Sequence, residues 1–277
     1  MLGKGMKILI SIDAEGLQGV TFGRQVKPDT TEYQVLKSAM NKSANAVISG
    51  AFKGGADEVL VVDAHDGNRN LDVEEIDSRS QVILGWPKEL SMVQGVEGKD
   101  QLFLIGYHTR AGAPNGVLSH TYSTNVHRLR INGKEVGELW LSAAVASSYG
   151  VPVTLVAGDS QTIEEAKEFL EDCEFVTLKE GFSRYSARSL SMKDALGKLE
   201  EGTQKAIKRK GKLLEVDVTL TIELEFQNAA MADNCLIVPG VERLNGYTLK
   251  VTAQDVVTAY KIFRVLVALS DFDHGGY

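Results

Sequence analysis

Three apolar segments of this chain each run out into a side chain that binds metals, and that repetition constrains the fold more than any other feature. MKILISIDAEG (6–16) runs into Asp13 and Glu15, DEVLVVDAHDG (57–67) into His65, and DQLFLIGYHTR (100–110) into His108. In an open α/β sheet, parallel strands deliver their C-terminal residues to one edge, where ligand sites form. Carboxylates and imidazoles gathered on one such edge are what a hydrolytic metal centre requires.

The surrounding sequence alternates as such a sheet demands. A loop with Gly16, Gly19 and Gly23 leads to a long helix, capped at Thr30 or Thr31 and stopped by Gly54-Gly55. Next come a strand over 58–62, a polar stretch to Asp77, a strand around 81–84, a short helix in SMVQGVEG (91–98) and a strand over 102–105. Residues 126–131, Asn132-Gly133 and 136–148 read as strand, turn and helix. PVTLVAGD (152–159) with a helix over 161–170 adds a further β-α unit. The expected fold class is therefore α/β, a mainly parallel sheet with helices on both faces. The last third differs, with a helix over 192–208, the alternating strand VDVTLTIELEF (216–226), a strand near 248–251 and a closing helix over 253–270. A smaller C-terminal α+β region is expected, joined near Gly181. The tail DFDHGGY (271–277) ends in glycines and reads as frayed, which makes His274 a poor site candidate.

Composition excludes several functions. With 277 residues, 43% of them hydrophobic, the chain suits one large domain or two moderate ones. Its net charge is −7, and its densest basic stretch, 205–212, alternates with apolar residues as an exposed helix face does. A nucleic-acid partner is not expected. Cys173 and Cys235 lie far apart without CxxC spacing, which excludes a structural zinc ribbon and fits packing thiols in a reduced compartment. No apolar run approaches the ~18 residues of a membrane span, and MLGKGMK lacks the apolar core of a secretory signal. No membrane partner and a cytoplasmic location are the expectations.

Each candidate residue carries a specific argument. Asp13 and Glu15 are two apart, so in a continuing strand both face one way. Held together in apolar surroundings they repel unless a cation sits between them; the alternative is that Glu15 turns to solvent and Asp13 caps a loop. His65 has Asp63 and Asp66 beside it, either of which can accept the second ring N–H and fix the tautomer, as metal-bound histidines require. His108 holds the same position after its strand, with Gly106 permitting close backbone approach. His120 follows a Gly/Pro-rich loop, from which a histidine can reach over a site mouth as a proton donor or acceptor. His127 falls in an alternating strand and reads as exposed or packing. Glu138 opens an apolar helix, where the helix dipole alone justifies a carboxylate.

The stretches SIDAEG (11–16), DAH (63–65), GYHTR (106–110), SH (119–120) and VGEL (136–139) occur in an order and spacing that resemble those of the zinc-dependent D-aminopeptidases encoded with bacterial dipeptide-permease systems. The resemblance runs from Met6 almost to the C-terminus and includes PVTLVAGD (152–159) and SRYSA (183–187). It implies two zinc ions per subunit held by Asp13, Glu15, His65, His108 and Glu138, with Asp13 as the bridge and His120 as the catalytic histidine. It also implies a short-peptide substrate and a ring-shaped homo-oligomer with active sites facing an internal chamber. On this reading residues 1–180 form the metal-binding catalytic domain, and 181–277 form a smaller α+β domain contributing to oligomer contacts. The chain departs from the family pattern at Ser142, at His127-Arg128 and at Thr121, positions expected to bear on the substrate pocket.

The expected chemistry is metal-assisted hydrolysis of an N-terminal, D-aminoacyl (D-Ala-type) residue, with His120 stabilising the oxyanion or transferring a proton. The alternative is a dinuclear metal hydrolase of another substrate class. DAHDG is superficially similar to the DAHxD element of arginase-like ureohydrolases, but Gly67 stands where the second aspartate is needed. SIDAE is similar to the opening of aspartate-nucleophile phosphatases, but Glu15 and Gly16 occupy the positions that follow the nucleophile there. A non-enzymatic scaffold ranks lower, because no ligand position is lost.

Overall fold

Lys7–Ile12 forms the first strand, β1, and its side chains divide between two cores. Ile8, Ile10 and Ile12 pack into one and Leu9 into the other, as the two-residue period of a strand requires. The computed structural model, which describes residues 5–272, places this strand inside the larger sheet; His274 and the end of the tail lie outside the described residues.

From β1 the chain enters helix α1 (Tyr33–Gly54), which ends at Gly55 with φ 110. The helix is preceded by Glu32, not by either threonine, and no side chain caps it. β2 (Glu58–Asp63) then pairs parallel with β1, and β3 (Gln81–Ile83) with β2. The chain crosses back to the other side of β1 to form β4 (Gln101–Tyr107). The short helix expected near 91–98 is a single 3-10 turn, Ser91–Val93. A hairpin of β5 (Val126–Ile131) and β6 (Lys134–Glu135) turns on Asn132 and Gly133, both at positive φ. Then follow α2 (Glu138–Ser148), β7 (Val153–Asp159), α3 (Ser160–Lys167), β8 (Glu174–Ser183), β9 (Ser186–Ser189) and α4 (Met192–Ala206).

The seven-stranded sheet has the order β3-β2-β1-β4-β7-β8-β9 and is parallel except for its last pair. Helices α1 and α4 bury Leu36, Met40, Val47 and Leu199 on one face. Helices α2 and α3 bury Leu139, Val145 and Ile163 on the other. The expected arrangement of helices on both faces is what the chain adopts.

The last part of the chain supplies β10 (Leu220–Phe226), α5 (Ala229–Cys235), β11 (Glu242–Arg243), β12 (Thr248–Ala253) and α6 (Val256–Ser270). Here the antiparallel sheet has the order β11-β12-β10-β5-β6. It therefore does not start at Gly181. β5 and β6 join it from mid-chain, while β8 runs through Gly181 within the larger sheet. Register explains the recruitment: β5 buries Val126, Leu129 and Ile131, and β10, with Leu220, Ile222, Leu224 and Phe226 inward, offers a matching apolar face.

Strand order reverses between β1 and β4, which is where an open α/β sheet forms its ligand crevice. The two strand ends are pressed together there. Gly106 has φ 70, and a Cβ on it would lie 2.1 Å from the Asp13 carbonyl oxygen. Its own carbonyl accepts the Gly16 N–H at 2.7 Å.

Candidate metal centre

Each strand end contributes one part of a buried cluster. Asp13 follows β1 directly, and its N–H donates to the Ile105 carbonyl at 2.8 Å, extending the β1–β4 pairing by one step. Glu15 does not continue a strand; the backbone turns after Asp13, and the two carboxylates converge through that turn. His65 stands two residues beyond β2 and His108 one beyond β4. Glu138 is the first residue of α2, whose axis thereby points a helix N-terminus at the cluster. His120 arrives from the loop between β4 and β5.

Asp13 joins two groups of donors. Its Oδ1 lies 3.3 Å from His65 Nδ1, and its Oδ2 lies 3.5 Å from His108 Nε2. On the first side Glu15 Oε2 is 3.2 Å from His65 Nδ1. On the second, Glu138 Oε1 is 3.2 Å from His108 Nε2 and 3.8 Å from His120 Nε2. Asp13, Glu15 and His65 thus form one set of potential ligand atoms, and His108, His120 and Glu138 form another.

All three imidazoles turn their second nitrogen toward a backbone carbonyl. His65 Nε2 is 2.9 Å from Val26 O, His108 Nδ1 is 3.0 Å from Thr109 O, and His120 Nδ1 is 2.8 Å from Leu118 O. Each carbonyl can only accept, so that nitrogen carries a proton, and the other nitrogen is aimed into the cluster. For His65 this corrects the expectation that Asp63 or Asp66 orients the ring. Asp63 instead accepts the backbone N–H groups of Asn70 and Leu71 and the Asn70 amide, and Asp66 lies on the cavity wall.

The electrostatics match a cation site. Burial, reinforced by the charge of Glu15, pushes Asp13 up to about 7. Burial opposes ionisation of Glu15 too, but His65 prevails and holds it well below the usual carboxylate range. Burial would depress His108, yet Glu138 and the other carboxylates lift it to about 10. His120 goes the other way, lowered by burial and by His108 beside it. Asp13 Oδ2 and Glu15 Oε2 are buried and accept no hydrogen bond, which costs free energy unless a cation satisfies them. Carboxylate oxygens with imidazole nitrogens are a donor set suited to zinc. The residues fit such an ion.

Above the cluster opens a cavity of about 460 Å³. Its walls include Trp86, Met92 and Tyr122, and a stripe of α6 formed by Arg264, Val267, Ala268 and the capping Asp271. None of Ser142, Thr121, His127 or Arg128 lines it. Ser142 and Thr121 are buried behind it, where Ser142 Oγ meets Tyr107 OH at 3.2 Å and Thr121 Oγ1 accepts the Ala111 N–H. His127 is exposed on β5, 3.7 Å from Glu225.

Two further residues escaped the reading of the sequence. Lys179, on β8, is buried and donates from Nζ to the carbonyls of Glu15, Leu17 and Val20, gripping the loop that carries Glu15. Arg264 interrupts an apolar helix; the 264, 267, 268, 271 spacing was legible as one helix face, but nothing local says that the face borders a site.

A doubly wound sheet with two joined carboxylate–imidazole donor sets at its crevice is the framework of a metal-dependent hydrolase. The chain belongs to the peptidase M55 family of D-aminopeptidases, whose family model matches residues 6–265. It is 36% identical over 270 residues to a D-aminopeptidase of Bacillus subtilis (strain 168), with 96% of this chain and 98% of the relative covered. Its fold is similar to the solved structure of the Zn-dependent D-aminopeptidase DppA from Bacillus subtilis, described as a self-compartmentalizing protease. The TM-score is 0.94 at 34% identity, over 98% of this chain and 100% of that one.

Proposed function

We propose that this protein is a zinc-dependent aminopeptidase that removes the N-terminal residue, of D configuration, from short peptides. The observation that carries the reading is the position of Asp13, with one carboxylate oxygen toward His65 and the other toward His108. Such a carboxylate suits a bridge between two ions, one held with Glu15 and His65 and the other with His108 and Glu138. Membership in the D-aminopeptidase family favours this reaction over ureohydrolase or phosphatase chemistry.

Zinc bound there supplies an acidified water and a polarised carbonyl at neutral pH. The chain's own residues provide the rest. Glu138 is held by the Tyr122 N–H at 2.6 Å, which fixes its carboxylate beside His108 and His120. His120, with its Nδ1 proton engaged by Leu118, presents Nε2 to the cavity as a base. It takes a proton from the attacking water and returns it to the leaving amine. The apolar wall of Trp86, Met92 and Tyr122 excludes bulk water and strengthens these charge interactions.

The assembly proposed is a ring-shaped homo-oligomer, the state that agrees with a self-compartmentalizing relative. Exposed Leu236, Ile237, Leu244 and Tyr247 mark the antiparallel-sheet region as a source of subunit contacts. Among the described residues no helix is long and apolar enough to cross a membrane, and a cytoplasmic location is proposed with it.

Zinc analysis of the purified protein tests the reading, combined with assays on matched dipeptides that begin with a D- or an L-residue. About two ions per chain are expected, with hydrolysis of the D substrates lost on chelation and restored by zinc. Full activity in metal-free protein would sink it.

A further inference from the structure

Arg264 stands in the wall of the cavity, where no carboxylate among the described residues pairs with it. Its guanidinium carbon lies 5.6 Å from the centre of the Tyr260 ring, and its Nη1 donates to the Glu89 carbonyl at 2.9 Å. Among the described residues it forms no ion pair. Asp271, the acid on the same stripe, is seven residues on, about 10.5 Å along the helix axis, and takes the Asn125 amide at 2.5 Å. The neighbouring cation is already spent: Lys88 is buried and donates to the Asp63 carbonyl at 2.5 Å. Lys27, across the cavity, is exposed on a loop. A cation–π contact and one backbone bond hold the Arg264 guanidinium while leaving N–H groups for a planar anion such as a carboxylate.

Arg264 is also tied mechanically to the reacting end of the cavity. The Tyr260 hydroxyl is hydrogen-bonded to that of Tyr122, and the Tyr122 N–H holds Glu138.

We propose that Arg264 binds the C-terminal carboxylate of the substrate and so favours short peptides with a free C-terminus over those without one. This specificity rests on the aminopeptidase reading above and extends it to the far end of the substrate. It makes Arg264 a specificity-determining residue.

The test compares hydrolysis of D-alanyl-glycine with that of D-alanyl-glycinamide, in which the same bond is cleaved but the carboxylate is gone. For the zinc-loaded wild type, kcat/KM for the acid should exceed that for the amide by roughly 10–100-fold, the worth of a charged hydrogen-bonded pair. Arg264→Gln should lower kcat/KM for the acid far more than for the amide, bringing their ratio close to one, with zinc content and melting temperature retained. Equal wild-type rates, or a parallel fall for both peptides in the variant, would overturn the proposal while leaving the aminopeptidase intact. Absence of cleavage of either peptide by zinc-loaded protein would overturn the aminopeptidase reading, and the carboxylate site with it.

Discussion

The imidazole rings of His108 and His120 lie stacked, with centroids 4.0 Å apart and planes 12° from parallel. One ring is anchored at the end of a central strand and the other hangs from a loop, and the two Nε2 atoms address the same Glu138 oxygen. The strand histidine has a second carboxylate, Asp13, in reach, and the loop histidine faces the cavity. On the proposed function, the second carboxylate beside His108 makes it a ligand and leaves His120 as the catalytic base.

His120→Ala is accordingly expected to keep zinc and fold while losing on the order of 10²–10⁴ in turnover. Metal analysis and steady-state kinetics on the same preparation check it. A metal-depleted variant would move His120 into the ligand set.

Removing a strand-end histidine should act on metal binding itself. His65→Ala and His108→Ala are each expected to weaken zinc by more than the roughly 10–100-fold that loss of a supporting residue costs. His127→Ala, exposed on β5, should leave zinc affinity as it is. Competition with a chromophoric chelator measures all three, and equal weakening across them would show that the strand ends are not the ligand source.

Lys179→Met should loosen the ligand loop without touching the donors. Three buried carbonyls, those of Glu15, Leu17 and Val20, lose their shared ammonium. Hydrogen exchange at residues 17–20 should accelerate, and zinc affinity should fall by about 10–100-fold, as for other groups that orient ligands. Unchanged exchange in that loop would show that the grip is redundant.

Lys88 makes stability depend on alkaline pH. Burial pulls its ammonium down to about 8, against an ordinary value of 10.5. Between those values the unfolded chain binds the proton and the folded chain does not, so stability rises with pH across that window and is lost as pH falls through about 8. Urea unfolding of wild type and Lys88→Met at several pH values isolates the effect, since other groups cancel in the difference. The wild type should gain on the variant from pH 8 to 10; a difference independent of pH would contradict the assignment.

Much of the framework was legible because its signals are local. Apolar runs that stop at a ligand-type residue mark both a strand and its edge, so Asp13, His65 and His108 were readable together. The Asn132-Gly133 turn and the glycine stop at Gly55 are equally short-range, since each depends on one or two φ angles. Ligand-type residues at the strand ends of a parallel sheet follow from chain direction alone.

Other features depend on contacts between distant parts of the chain. Nothing near Val126 reveals that β5 leaves the parallel sheet to pair with β10, almost a hundred residues later; the choice lies in the match between two apolar faces. Glu138 could be read as an ordinary dipole partner until α2 was docked against the end of β4. The orientation of His65 came from the Val26 carbonyl, which no neighbouring aspartate foretold. Arg264 and Lys179 were unreadable for the same reason: a lone cation in an apolar helix or strand acquires its role only from the carbonyls, rings and cavity that folding brings to it. The sequence by itself determined which residues stand at the sheet's edge, because a strand carries its own direction. Tertiary packing decided which atoms face one another there, because distance and hydrogen bonding across long loops exist only in the folded chain.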